Sequence, residues 1–272
     1  VGQNACVEVD GAAYWMSENG FFRYGGKLES LPCLVEDHVY DDINLASGNQ
    51  MVSAGLNNLF GEIIWFYPSS TSDVVNKMVA YNYFDSSIKR PVWTVGTLAR
   101  TMWRDSAVFG KPHALEYDAS TDTSFDVVGN TEGRTAYYEH ETGTDQNKNG
   151  TITAVLSNIS SGDYDITQRT LRGLGGVADF RGDGEHIMKI RRFVPDFISQ
   201  TGTTRITLQL KNYPNSTQGS SPLGPFDITT STTKVDTRAR ARAISLKIEN
   251  TAVDQSWKLG TFRLDVQPDG RR

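Results

Sequence analysis

The residues best suited to carry chemistry in this chain lie in TRARARAISLKIE, residues 237–249. Taken as one strand, the segment puts Arg238, Arg240 and Arg242 on the same face as Ile244, Leu246 and Ile248, so that face turns from cationic to apolar along its length. Three adjacent guanidinium groups repel one another unless solvent, carboxylates or phosphates offset them. Two readings follow: a strand end leaving the core for solvent, or a ladder at a subunit interface or lumen that pairs with acidic groups of a neighbouring subunit. Readout of nucleic acid ranks third, because no aromatic side chain is interleaved for base stacking.

Other motifs carry weaker chemistry. Glu36, Asp37, Asp41 and Asp42 suggest a metal or acid/base site, but the plainer reading is a solvated loop with a helical turn near Val39 to Ile43, whose N-terminal end favours carboxylates. Asp145, Asn147, Asn149 and Gly150 open like a calcium loop, D-x-N-x-N-G, yet the twelfth position is Leu156 and no helices flank the segment. A hairpin turn on Asn149-Gly150 fits better. The four histidines, His38, His113, His140 and His186, lack zinc-site spacing. No nucleophile elbow, phosphate loop or dinucleotide fingerprint occurs, so no catalytic residue, cofactor or metal ligand is assigned. Arg181-Gly182-Asp183 reads as a turn, and the sequons at Asn149, Asn158 and Asn215 carry little weight without a secretory leader. Cys6 and Cys33 are expected as ordinary buried thiols.

The totals narrow the class. At 272 residues the chain is long enough for two ordinary domains, and 38% hydrophobic with 22% charged residues is the composition of a soluble globular protein. No apolar run approaches the roughly 18 residues of a membrane helix, so no membrane insertion is expected. A formal charge of -5 argues against a protein whose main task is gripping nucleic acid, although it allows DNA to slide past. The chain starts at Val1 without an initiator Met, which suggests processing or a missing upstream region.

The elements that must position these residues read as β throughout. Glu62 to Tyr67, Met78 to Tyr83 and Val92 to Val95 are dense in aromatic and β-branched residues and form a meander. AAYWM at 12–16, Phe21 to Tyr24 and an extended piece ending at Pro32 form another, turning at Glu18-Asn19-Gly20 and Gly25-Gly26. HALEYD and residues 134–140 add further strands. Trp15, Trp65 and Leu115 occupy like places in AYWM, IWFY and ALEY, each 50 residues after the last, a period that propeller blades produce. Only about three blades are present, against the roughly 4 to 8 a closed propeller needs. The polar segment ETGTDQNKNG separates residues 1–141 from residues 151–272. In the second region Ile152, Ala154 and Leu156, then Ile206, Leu208 and Leu210, then Phe262, Leu264 and Val266 alternate with polar residues, with turns at 181–184 and at Pro222 to Pro225. The expected fold is all-β: propeller-like antiparallel blades, incomplete in number, followed by a β-sandwich-like domain.

Ordered strings across most of the chain resemble the tail tube, or nozzle, proteins of short-tailed bacteriophages, also called tail hub or phage stabilisation proteins. They are AYWMSENGFFRYGG and LPC within 13–33, IIWFYPS at 63–69, NKMVAYNYFDSSIKRPVWTVGTLARTMWRDS at 76–106, KIRRFVPDF at 189–197, and TKVDTRARARAISLKIEN with SWKLGTFRLDVQPDGRR within 233–272. The resemblance implies a virion structural protein without enzymatic activity, sitting below the portal and adaptor and forming part of the conduit for DNA ejection. Such proteins are similar to propellers with an added β domain, assemble as homo-oligomeric rings, commonly hexamers, and let DNA pass without sequence-specific binding. Members are longer than this chain, which fits a fragment or processed form. On this reading Arg238, Arg240 and Arg242 belong to the subunit interface or lumen, and Trp65, Trp93 and Trp103 are core or blade-contact anchors.

Two rival expectations come from other classes. A glycan-binding or carbohydrate-active β protein would line a groove with Tyr137-Tyr138 and with Tyr81 and Tyr83. A receptor-contacting adhesin module would use the Ser/Thr-rich loops at 118–133 and 215–233.

Overall fold

The computed structural model describes residues 2–44, 46, 51–87, 90–106, 110–118, 134–148, 150–166, 186–213 and 221–271. The RGD tripeptide, the sequon at Asn215, residues 119–133 of the first Ser/Thr-rich loop and 215–220 of the second lie outside the described residues. The chain divides into two compact units, Val1–Thr142 and Gly143–Arg272. Nearly every described element is an antiparallel strand, so the protein is all-β.

The first unit is a succession of meanders. Strands β1 (Cys6–Val9), β2 (Ala12–Ser17), β3 (Gly20–Tyr24) and β4 (Leu28–Leu31) pair in chain order. A short helix α1 (Glu36–Tyr40) follows, with Glu36 and Asp37 in its first turn. Its Tyr40 hydroxyl donates to the Ser17 carbonyl at 2.6 Å and accepts from the Gly20 N–H at 3.1 Å, fixing the β2–β3 turn. Strands β5 (Ser53–Asn57), β6 (Glu62–Tyr67), β7 (Lys77–Asn82) and β8 (Trp93–Gly96) form the second sheet, again in chain order. Strands β9 (Met102–Arg104), β10 (His113–Asp118) and β11 (Arg134–Glu139) form the third.

The 50-residue spacing has a structural basis. Trp15, Trp65 and Leu115 fall in β2, β6 and β10, the second strand of each sheet. The first strands lie together, β1 beside β5 and β5 beside β9. The middle sheet is therefore covered on both faces. Ile63, Trp65 and Tyr67 pack with Tyr14, Met16 and Phe21 of the first sheet. Ile64 and Phe66 pack with Val75, Ala80, Leu98 and Trp103. That two-sided burial explains why β6 reads EIIWFY, a continuous apolar run, instead of alternating. The described strands form no closed propeller or barrel.

Three indole N–H groups tie the sheets together. Trp65 donates to the Ala5 carbonyl at 2.9 Å, Trp93 to Pro32 at 2.8 Å and Trp103 to Leu56 at 2.9 Å. Trp65 is fully buried, worth about 1.5–3 kcal/mol, while Trp93 and Trp103 are half-buried; each satisfies its one donor. The approach of Trp103 requires Gly55, because a Cβ there would lie 2.5 Å from the indole Cδ1. The meander expected as three strands thus has a fourth, β5, whose sequence SAGLN holds no aromatic or β-branched residue to announce it.

The second unit holds β12 (Asp145–Lys148), β13 (Thr151–Ala154), β14 (Asn158–Ser160), β15 (His186–Val194), β16 (Phe197–Thr201), β17 (Thr204–Lys211), β18 (Ser221–Ile228), β19 (Val235–Ala241), β20 (Ala243–Glu249), β21 (Ser256–Leu259) and β22 (Arg263–Arg271). Two sheets, β14-β20-β17-β18 and β19-β15-β22, supply a shared interior. Phe193 meets Ile206, Leu208, Ile228, Leu246 and Ile248, while Met188 and Ile190 meet Ala239, Ala241 and Ile244. The pairs β12-β13 and β16-β21 form two-stranded sheets.

Two expectations need correction in this unit. Pro222 and Pro225 do not mark a turn but lie within β18, an edge strand, where a residue without an N–H leaves no inner ladder bond unmade. Ile152 and Leu156 do not face a core: they are 60% and 68% exposed, because β13 belongs to a hairpin and Leu156 lies beyond its end. That hairpin does turn at Gly150, with φ +83, and the Gly150 N–H donates to Asn147 Oδ1 at 2.9 Å.

Candidate functional site

The arginine segment is two strands in two sheets. In β19, Ala239 and Ala241 point into the interior against Met188 and Ile190, so Arg238 and Arg240 point outward. At Arg242 the chain bends, its N–H donating to the Lys211 carbonyl at 3.0 Å, and β20 continues in the other sheet. One residue spent in the corner moves the buried set from odd to even positions: Ile244, Leu246 and Ile248. Strands that switch sheets at such corners are a standard way to close a sandwich. The expected single face running from cationic to apolar is therefore not present. Arg238 and Arg240 share an exposed face, while Arg242 is half-buried at the corner.

The neighbours on that outward face are largely charged. Lys189 on β15 pairs in register with Arg240 on one side and Gln267 on the other. Arg191, also exposed, follows on the same strand, where the ladder is interrupted by a bulge. Arg192 lies between Asp236 at 3.9 Å and Asp265 at 3.3 Å, and Arg240 forms an ion pair with Asp269. All of these pairs are solvent-exposed, where each contributes about 0–1 kcal/mol. The face is thus charged, partly paired and weakly committed to its own chain.

A second cluster of ionisable groups, absent from the sequence reading, lies inside the first unit. Arg100, only 4% exposed, precedes β9. It donates from Nε to His140 Nε2 at 2.9 Å and from Nη1 to Glu116 at 2.9 Å, with its guanidinium 4.0 Å from the centre of the Tyr138 ring. Burial, then the adjacent Arg100 and His113, push His140 down to about 4. The Trp103 indole packs on the His140 ring with centroids 4.6 Å apart. Sequence spacing offers little to find such a cluster, since its members come from positions 100, 116, 138 and 140 through the β10–β11 pairing.

A third group sits at the β5–β6 turn. Asn57, buried and opposite Glu62 in the ladder, donates to Glu141 at 3.0 Å. Burial, and then the charge of Glu141, raise the Glu62 pKa.

The tyrosines expected to line a groove are divided among different environments. Tyr137 and Tyr138 are successive residues of β11 and face opposite ways: Tyr138 lies under Arg100, whereas Tyr137 is 65% exposed and stacks on His113. Tyr81 packs between Tyr14 and Trp93. The cysteines are both free, and Cys6 is exposed where a buried thiol was expected; burial pushes the Cys33 thiol up to about 11. Among the described residues no three His, Cys, Asp or Glu side chains gather as a metal site requires, and no helix is long and apolar enough to cross a membrane.

The chain matches no protein-family model and no curated protein.

Proposed function

We propose that the chain is a non-enzymatic structural component of a short-tailed phage virion, part of the tail tube or nozzle through which DNA is ejected. The observation that carries the reading is the order of the fold. Tryptophan-linked sheets of successive strands come first, and a separate unit built on two larger sheets with a shared interior follows. The strings that resemble the nozzle family fall in those strands: AYWM in β2, IIWFY in β6, KIRRFV in β15 and RARA in β19.

In this reading the three sheets are blades of a propeller whose remaining blades come from further sequence or from other chains. Copies of the chain form a ring, a hexamer by the resemblance, that joins the portal or adaptor and other tail proteins. Its work is mechanical: packed interfaces hold against internal pressure, and DNA passes a surface without sequence-specific contacts. Arg238, Arg240 and Arg242 stand at a subunit interface or lumen. Cross-linking mass spectrometry of purified particles tests this, with cross-links from the chain to portal, adaptor or tail proteins expected. A purified chain that binds a glycan array or cleaves polysaccharide, with no such cross-links in particles, contradicts it.

A further inference from the structure

Formal charge is divided unevenly along the chain. Residues 1–142 hold 9 Lys and Arg against 19 Asp and Glu, a charge of -10, whereas residues 143–272 hold 18 against 13, a charge of +5. The total of -5 conceals this polarity.

Within the second unit, exposed cations gather on one sheet. Lys189 and Arg240 are direct cross-strand neighbours, and Arg191 and Arg238 are exposed on the same two strands. Like charges directly opposite one another disfavour a sheet pair. Asp269 meets Arg240, but as an exposed pair it offsets little. A face of this kind is relieved by an anionic partner.

The face itself indicates which kind. Asp236, Asp265 and Asp269 stand among its cations, and they would repel a continuous row of phosphates. A mixed pattern with a cationic excess matches a protein surface of opposite excess. The first unit of the same chain has that excess, with Asp37, Asp41 and Asp73 among its exposed carboxylates.

We infer that the cationic face of β15 and β19 docks against the acidic N-terminal unit of a second copy of the chain. The contact is heterologous: each copy offers one basic and one acidic surface, so contacts repeat head to tail and close when the rotation permits. This rests on the ring reading above and names the basic face and the acidic unit that meet.

Sedimentation velocity on the full chain at low and high salt tests it. Self-association that weakens as salt rises is expected. Lys189→Glu combined with Arg238→Glu and Arg240→Glu should weaken it at least about tenfold. Lys27→Glu, which makes the first unit more acidic, should leave association unchanged or tighter. Retained circular dichroism and an unchanged denaturant transition establish that the variants fold, and the milder Lys189→Gln with Arg240→Gln serves if the triple variant does not. Association that is salt-insensitive and indifferent to these reversals overturns the inference while leaving the ring intact. A chain that stays monomeric in every condition overturns both. Fluorescence anisotropy with labelled duplex DNA supplies the other arm: DNA binding lost in the triple variant, with self-association unchanged, assigns the face to nucleic acid and overturns the inference.

Discussion

Arg100 keeps its charge inside the first unit because three groups compensate its burial: the Glu116 carboxylate, the Tyr138 ring and the unprotonated Nε2 of His140. Removing one partner of such a set leaves the other exposed to its full desolvation penalty. Arg100→Met should destabilise the unit by about 3 kcal/mol, and adding Glu116→Leu should restore part of that, measured by urea unfolding. His140 makes the same network pH-sensitive. Its folded pKa of about 4 lies below the ordinary value of 6.5, so the unfolded chain takes up the proton first. Stability is complete above that ordinary value and falls as pH drops toward the folded pKa. Between pH 7 and 5 the loss should be about 1 kcal/mol after allowing for solvent screening, a fall of about 2–4 °C in Tm. Glu62, whose pKa is raised, acts in the opposite sense, losing its stabilisation as pH rises. Comparing wild type with His140→Gln cancels that contribution. Four of the five tryptophans lie in this unit, so their fluorescence reports its melting. A pH slope unchanged in the glutamine variant would remove His140 from the account.

Among the elements, β6 declares itself in sequence: Glu62 to Tyr67 was readable from the aromatic and β-branched density that its two-sided burial demands. β11, an edge strand with one exposed face, was readable at 134–140 from its paired tyrosines. Strands β1, β5 and β9 were not: β5 holds no aromatic or β-branched residue, β9 has only three residues, and the four of β1 stand apart from any aromatic string. The break at Arg242 was also hidden. Alternation in TRARARAISLKIE continues through the corner when read by eye, and only the burial of Ala239 and Ala241 shows the change of parity. The contact between sheets makes its own predictions. Gly55→Ala should destabilise the unit by about 1–3 kcal/mol by displacing Trp103. Trp65→Phe should cost about 1–3 kcal/mol, since it removes the indole bond to the Ala5 carbonyl, which keeps only the Met16 N–H at 3.2 Å, and leaves a void where the larger ring packed. Denaturant titration checks both, and a neutral Gly55→Ala would mean the two sheets can part without loss.

For the whole molecule, composition alone gave the class but averaged away the polarity. A 50-residue period in three short strings was enough to place Trp15, Trp65 and Leu115 in equivalent strands, since stacked sheets repeat their contacts. The opposite charges of the two units were invisible until the unit boundary at Thr142 and Gly143 was known. The Arg100 and Asn57 clusters were invisible too, because their members meet only through strand pairing and inter-sheet packing. At this scale the central claim is that the chain is a ring-forming tail component. Electron microscopy of native particles tests it most directly. The account predicts a closed ring of copies at the tail, coaxial with the DNA path; particles in which the chain is absent, or sits as single copies away from that axis, would contradict it.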